Sequence, residues 1–142
     1  MLSRSLLFPS LLVAAACAFF HDDPSVTASM RVGDSVTLAI SETALVEDAG
    51  IRITFEEVLS DSRCPTDAFC VQAGDAQVRL RGARQGMPTT RADVGLFDHT
   101  SLTYAGVAFY LERLDPWPVS TGGTTPTNRY RATIGTRALV AG

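Results

Sequence analysis

The side chains in this chain that could do chemistry are three cysteines, two histidines and a few clustered carboxylates. Cys64 and Cys70 frame the stretch Asp61-Ser62-Arg63-Cys64-Pro65-Thr66-Asp67-Ala68-Phe69-Cys70-Val71-Gln72-Ala73-Gly74. Pro65 fixes φ directly after the first cysteine and favours a turn, so the C-x5-C spacing reads as a local disulfide closing a loop. The rival readings are a metal site and a redox pair. No third Cys or neighbouring His completes a zinc set, and the spacing is not C-x-x-C. Closing so short a loop removes about 2 to 2.5 kcal/mol of unfolded-chain entropy, a large share of a small domain's net stability.

The remaining chemical candidates are weaker. His21 falls in a polar segment beside Asp22 and Asp23, where a solvated surface is the simpler reading than a metal ligand. A histidine general acid or base would therefore be His99, which neighbours Asp98, Thr100 and Ser101; adjacency in sequence does not make a triad. Glu56 and Glu57 cannot face one site from a regular strand, although a bulge could bring them together. Asp61, Asp67 and Asp75 flank the loop with oxygen ligands of the kind calcium takes, but without EF-hand spacing. No catalytic residue, metal site or cofactor is expected from these patterns. Arg63 has two readings, support of the loop through Asp61 or contact with a ligand. Trp117, fixed between Pro116 and Pro118, either offers a low-entropy contact surface or plugs one end of the domain.

Strands must position these groups. From Gly33 the period is two: Val36, Leu38 and Ile40; Ile51, Ile53 and Phe55; Ala76, Val78 and Leu80; Leu102 and Tyr104; Val107, Phe109 and Leu111; Tyr130, Ala132 and Ile134. Continuing the second of these past Phe55 turns Glu57 inward and Val58 outward, so a β-bulge or break is expected near Glu56 and Glu57. Gly50, Gly82, Gly86, Gly106 and the 121–127 stretch punctuate the runs. A turn of helix near Thr90 to Val94 is the one helical expectation. Six to eight short strands imply an all-β fold, a single antiparallel β-sandwich or a partly open β-barrel.

The N-terminal region reads as an export signal over 1–16. Arg4 supplies the positive end, Leu6 to Ala16 the apolar stretch, and Ala14-Ala15-Ala16 the small residues before Cys17. The apolar run is short of the roughly 20 residues a membrane-spanning helix needs. Val13-Ala14-Ala15-Ala16-Cys17 resembles a lipobox, with Ala14 in place of the usual Leu; cleavage at an Ala-x-Ala site is the alternative. Acylation of Cys17 would leave an even cysteine pair for the disulfide. Residues 17–32 are expected to form a flexible tether and 33–142 the β-rich domain.

A resemblance attaches to the stapled stretch. Asp61-Ser62-Arg63-Cys64-Pro65, followed by Cys70-Val71-Gln72-Ala73-Gly74, is similar to a motif of small, uncharacterised bacterial envelope proteins, many of them lipoprotein-like. The likeness extends through Ile51 to Val58 and Ala76 to Leu80, and more weakly through Leu114 to Pro118 and Tyr130 to Ile134. Where the motif usually carries Trp, this chain has Gln72. The resemblance implies an envelope location and a β-rich fold and brings no activity.

Composition narrows the partners. The 142 residues suffice for one core, and 46% hydrophobic with 19% charged residues is ordinary for a globular chain. A net charge of -3 and pI near 5.2 give no basic footprint for nucleic acid. All basic residues are arginine, a choice that suits anion recognition or reflects coding bias. Two function classes stand. One is an exported, lipid-anchored envelope module, non-enzymatic, binding a protein, peptide or glycan through a surface of Asp61, Arg63, Pro65 and Trp117, in one version as a protease-inhibitor-like loop. The other is a small hydrolase or metal-dependent enzyme built on His99 and nearby carboxylates. The expected location is the bacterial cell envelope, anchored to membrane by Cys17, with a periplasmic or secreted protein as the alternative.

Overall fold

The apolar alternation that runs along the chain is spent on two stacked sheets. A computed structural model describes residues 24–140; the segment 1–16 expected to be an export signal, Cys17 and His21 lie outside them. Nine strands follow in order: β1 (Val26–Met30), β2 (Ser35–Ala39), β3 (Thr43–Val46), β4 (Ile51–Asp61), β5 (Ala76–Ala83), β6 (Thr90–Gly95), β7 (Ser101–Tyr104), β8 (Val107–Asp115) and β9 (Arg131–Ala138). One sheet has the order β1-β3-β4-β5-β6 and the other β2-β9-β8-β7, neither closed into a barrel. The fold is an all-β sandwich, the first of the two architectures expected.

Inward residues from both sheets make one core. Ile51, Ile53, Phe55, Val78 and Leu80 of the first sheet meet Leu38, Phe109, Leu111, Leu114 and Ile134 of the second, all buried. Each such side chain contributes about 1.5–3 kcal/mol by leaving water. The buried hydroxyls of Thr43 and Thr54 satisfy one another at 2.8 Å. Between β7 and β8 the two-residue turn Ala105–Gly106 has positive φ at both positions (47° and 81°), the geometry whose twist suits a tight hairpin.

The bulge expected near Glu56 is present, as a register shift between Phe55 and Glu57, and a second shift follows between Val58 and Ser60. The first bulge carries both glutamates to the outer face, where each meets its own arginines. Glu57 accepts from Arg79 at 2.8 Å, and Glu56 accepts from Arg91 at 2.8 Å and forms an ion pair with Arg81 across 3.2 Å.

Three strands depart from expectation. Val26–Met30 of the proposed tether forms β1, lying parallel to β3 at the sheet edge with Met30 buried. Thr43–Val46 pairs with β4 as β3, and Thr90–Gly95 is the edge strand β6 where a helical turn was expected. Leu80 opposite Ala92, Val78 opposite Val94, and the ion pair of Arg79 with Asp93 at 2.8 Å hold β6 in place. Pairing to a strong neighbour overrides a weak local pattern.

β4, β6 and β8 all finish at one end of the sandwich, and β5 and β9 start there. That end carries the candidate site.

Candidate functional site

The stapled loop begins as a continuation of the β4–β5 ladder. Ser62 N–H donates to the carbonyl of Asp75 at 2.8 Å, and Cys64 N–H to that of Ala73 at 2.8 Å. Gly74 closes this base at φ +68°, where a Cβ would overlap the Ser62 carbonyl; glycine is required both for the conformation and for the approach. Cys64 and Cys70 are bonded, with Cα atoms 5.9 Å apart. Ala68 N–H donates to the Pro65 carbonyl at 3.2 Å, completing the turn that Pro65 starts.

Arg63 lies at the base of this loop, 2% exposed. Its Nε and Nη2 each donate to one oxygen of Asp61 at 2.7 Å, Nη1 donates to the Leu114 carbonyl at 2.6 Å, and Nη2 also donates to the Pro116 carbonyl at 3.0 Å. The guanidinium carbon stands 4.6 Å from the Trp117 ring centroid, over its face. A planar fork with five donors can join one carboxylate and two carbonyls of another strand's end in this way; an ammonium cannot. Tyr130 Oη donates to the second Asp61 oxygen at 3.1 Å. Burial pushes the Asp61 carboxyl up, but the hydrogen bonds and charge of Arg63, aided by Tyr130, outweigh it and hold the group below its ordinary value. Burial raises the Tyr130 phenol, which stays the donor of this pair.

A second set of bonds fastens the loop to the segment after β8, which leaves its strand through a cis Asp115–Pro116 bond. Trp117 Nε1 donates to the Cys64 carbonyl at 2.8 Å, and Thr66 N–H to the Pro118 carbonyl at 3.1 Å. Ser120 donates to Asp67 through its N–H and its hydroxyl, both at 2.7 Å. Those bonds, the backbone one first, hold the Asp67 carboxyl below its usual range. From the other side, Asp75 Oδ1 accepts from Leu96 N–H at 3.2 Å and Phe97 N–H at 3.0 Å. The Phe97 and Trp117 rings meet at 6.3 Å between centroids.

No family model, curated protein or solved structure matches the chain.

Of the binding surface expected around the loop, Asp61 and Arg63 face inward at the loop's base. The reason is electrostatic: a buried guanidinium needs its donors matched, and the β8 end supplies two carbonyls while Asp61 supplies the charge. Pro65 is half-buried and Trp117 is partly exposed, with one ring face on Arg63. What projects instead is Phe69 and Val71, at 104% and 102% exposure, on either side of Cys70. Neither stands out in the sequence as a site residue, although two large apolar residues flanking a cysteine in a polar loop are a signal. Phe97, Trp117 and Val119 are exposed as well, and the bonds just described place them beside the loop.

His99 takes a positive φ of 60° in the exposed turn between β6 and β7. Asp98 there accepts from the Thr100 N–H at 3.0 Å and hydroxyl at 2.7 Å, which hold its carboxyl low. The cavity beside His99, about 190 Å³, is lined by Thr100, Ser101, Tyr110 and Arg137 among others, with no carboxylate among its lining residues. The carboxylates of Asp61, Asp67 and Asp75 have separate partners. Among the described residues, no three His, Cys, Asp or Glu side chains are grouped to hold a metal.

Proposed function

We propose that this protein is an exported, lipid-anchored module of the bacterial cell envelope that acts by binding, through the tip of its stapled loop. The observation that carries the reading is the contrast within one loop. Its base is fixed by a disulfide, a matched guanidinium and bonds to Pro118 and Ser120, while its tip holds Phe69 and Val71 wholly in water. Rigidity in the free state lowers the entropic cost of binding, and exposed apolar side chains gain free energy when covered. The lipobox-like Val13 to Cys17 and the likeness of the 61–74 stretch to envelope proteins support the location.

Two experiments test the parts separately. Cells fed an alkynyl fatty acid should label the wild-type protein and not Cys17→Ser; unlabelled wild type would end the anchored reading. A strain carrying Phe69→Ser with Val71→Ser at wild-type abundance should reproduce deletion of the gene, and His99→Ala should reproduce the wild type. The reverse result brings the enzyme reading forward.

A further inference from the structure

The apolar tip and the start of the domain point the same way. β1 runs parallel to β3, and β3 antiparallel to β4, so β1 begins on the side where β4 ends in the stapled loop. Pro24 and Glu56 of β4 line one surface cavity. From Glu56 to Asp61 the strand rises about 16 Å. From Pro24 back to Cys17 the chain can span up to about 24 Å when extended. A lipid on Cys17 can therefore reach the level of the loop without any change in the sandwich.

The chemistry of this end fits a bilayer. Residues 64–74 carry no basic side chain, and their one acid, Asp67, is bonded to Ser120. Phe69 and Val71 are fully exposed apolar side chains, and Trp117, Phe97 and Val119 add partial exposure beside the loop. Amphipathic aromatic rings such as that of Trp117 favour the headgroup level of a membrane.

Resting on the proposed acylation of Cys17, we infer that Phe69 and Val71 insert into the interfacial layer of the bilayer that holds the anchor. The contact is apolar, so it needs no anionic lipid and resists salt. The anchor makes insertion an intramolecular step, in which a weak contact suffices at high effective concentration. Insertion would fix the domain's orientation on the membrane.

Trp117, the single tryptophan of the chain, reports the event. Full-length protein isolated from the envelope would be mixed with phosphatidylcholine vesicles brominated on the acyl chain near the headgroup. The expected result is co-sedimentation with quenching of Trp117 in the wild type, unchanged in high salt, and co-sedimentation with loss of that quenching in Phe69→Ser with Val71→Ser. Co-sedimentation of both proteins without quenching, or with equal quenching, overturns insertion and leaves the tip to a protein partner. If neither protein co-sediments, the anchor reading itself fails, and the inference with it.

Discussion

Arg63→Ala removes the centre of the clamp, and its cost can be worked from the bonds it breaks. The substitution leaves Asp61, whose side chain is 8% exposed, with the Tyr130 hydroxyl and a 3.4 Å bond from the residue 63 N–H. It also orphans the Leu114 and Pro116 carbonyls and uncovers one face of Trp117. Removing one partner of a buried ion pair costs roughly 3–5 kcal/mol. Asp61 sits at the rim and can rehydrate, which favours the lower end, about 3 kcal/mol. At about 4 °C per kcal/mol for a domain of this size, the melting temperature should fall by about 12 °C. Urea unfolding followed by Trp117 fluorescence measures the loss by linear extrapolation. Arg63→Lys should be intermediate, since an ammonium cannot grip Asp61 with two parallel bonds. A loss below about 1 kcal/mol, within the range of an exposed ion pair, would refute the clamp and return Arg63 to the ligand-contact reading.

Asp61 ties stability to acid. Its folded-state value is depressed, so its contribution is present above the unfolded value near 3.9 and is lost as pH falls through the lower folded value. Thermal melts across acid pH should show a shallower decline in Asp61→Asn than in the wild type; equal slopes contradict the assignment. Replacing Cys64 and Cys70 by Ser should lower stability by about 2 kcal/mol, the chain-entropy value for so short a loop, and non-reduced peptide mapping of the wild type should find the two linked. Gly74→Ala should destabilise by more than about 1 kcal/mol, through left-handed strain compounded by overlap with the Ser62 carbonyl, and a protein as stable as wild type would contradict the loop geometry.

Strong alternation was legible in the sequence. β4, β5, β7, β8 and β9 each carry buried residues at a spacing of two, β2 places half-buried Val36 two residues before buried Leu38, and the misfit of Glu57 with Val58 located the bulge. β1, β3 and β6 were not legible. β1 buries Met30 alone, β3 has four residues, and β6 buries Val94 and Gly95 alone; pairing to neighbours makes them strands. The disulfide followed from spacing, and the Asp61–Arg63 pair from proximity. The inward aim of Arg63 depended on the β8 end, 51 residues away, which local sequence cannot report. Phe69 and Val71 looked like ordinary apolar residues because exposure is a tertiary property.

The working surface we propose is the loop tip, and not the turn around His99. Its most direct measurement places a photo-crosslinking amino acid at position 69, and separately at position 99, in the protein expressed in its own cells. Either substitution should leave stability within about 0.5 kcal/mol, as at other exposed sites. Illumination should yield adducts from position 69 and none from position 99; adducts from position 99 alone, or from neither, would rule out the loop tip as that surface.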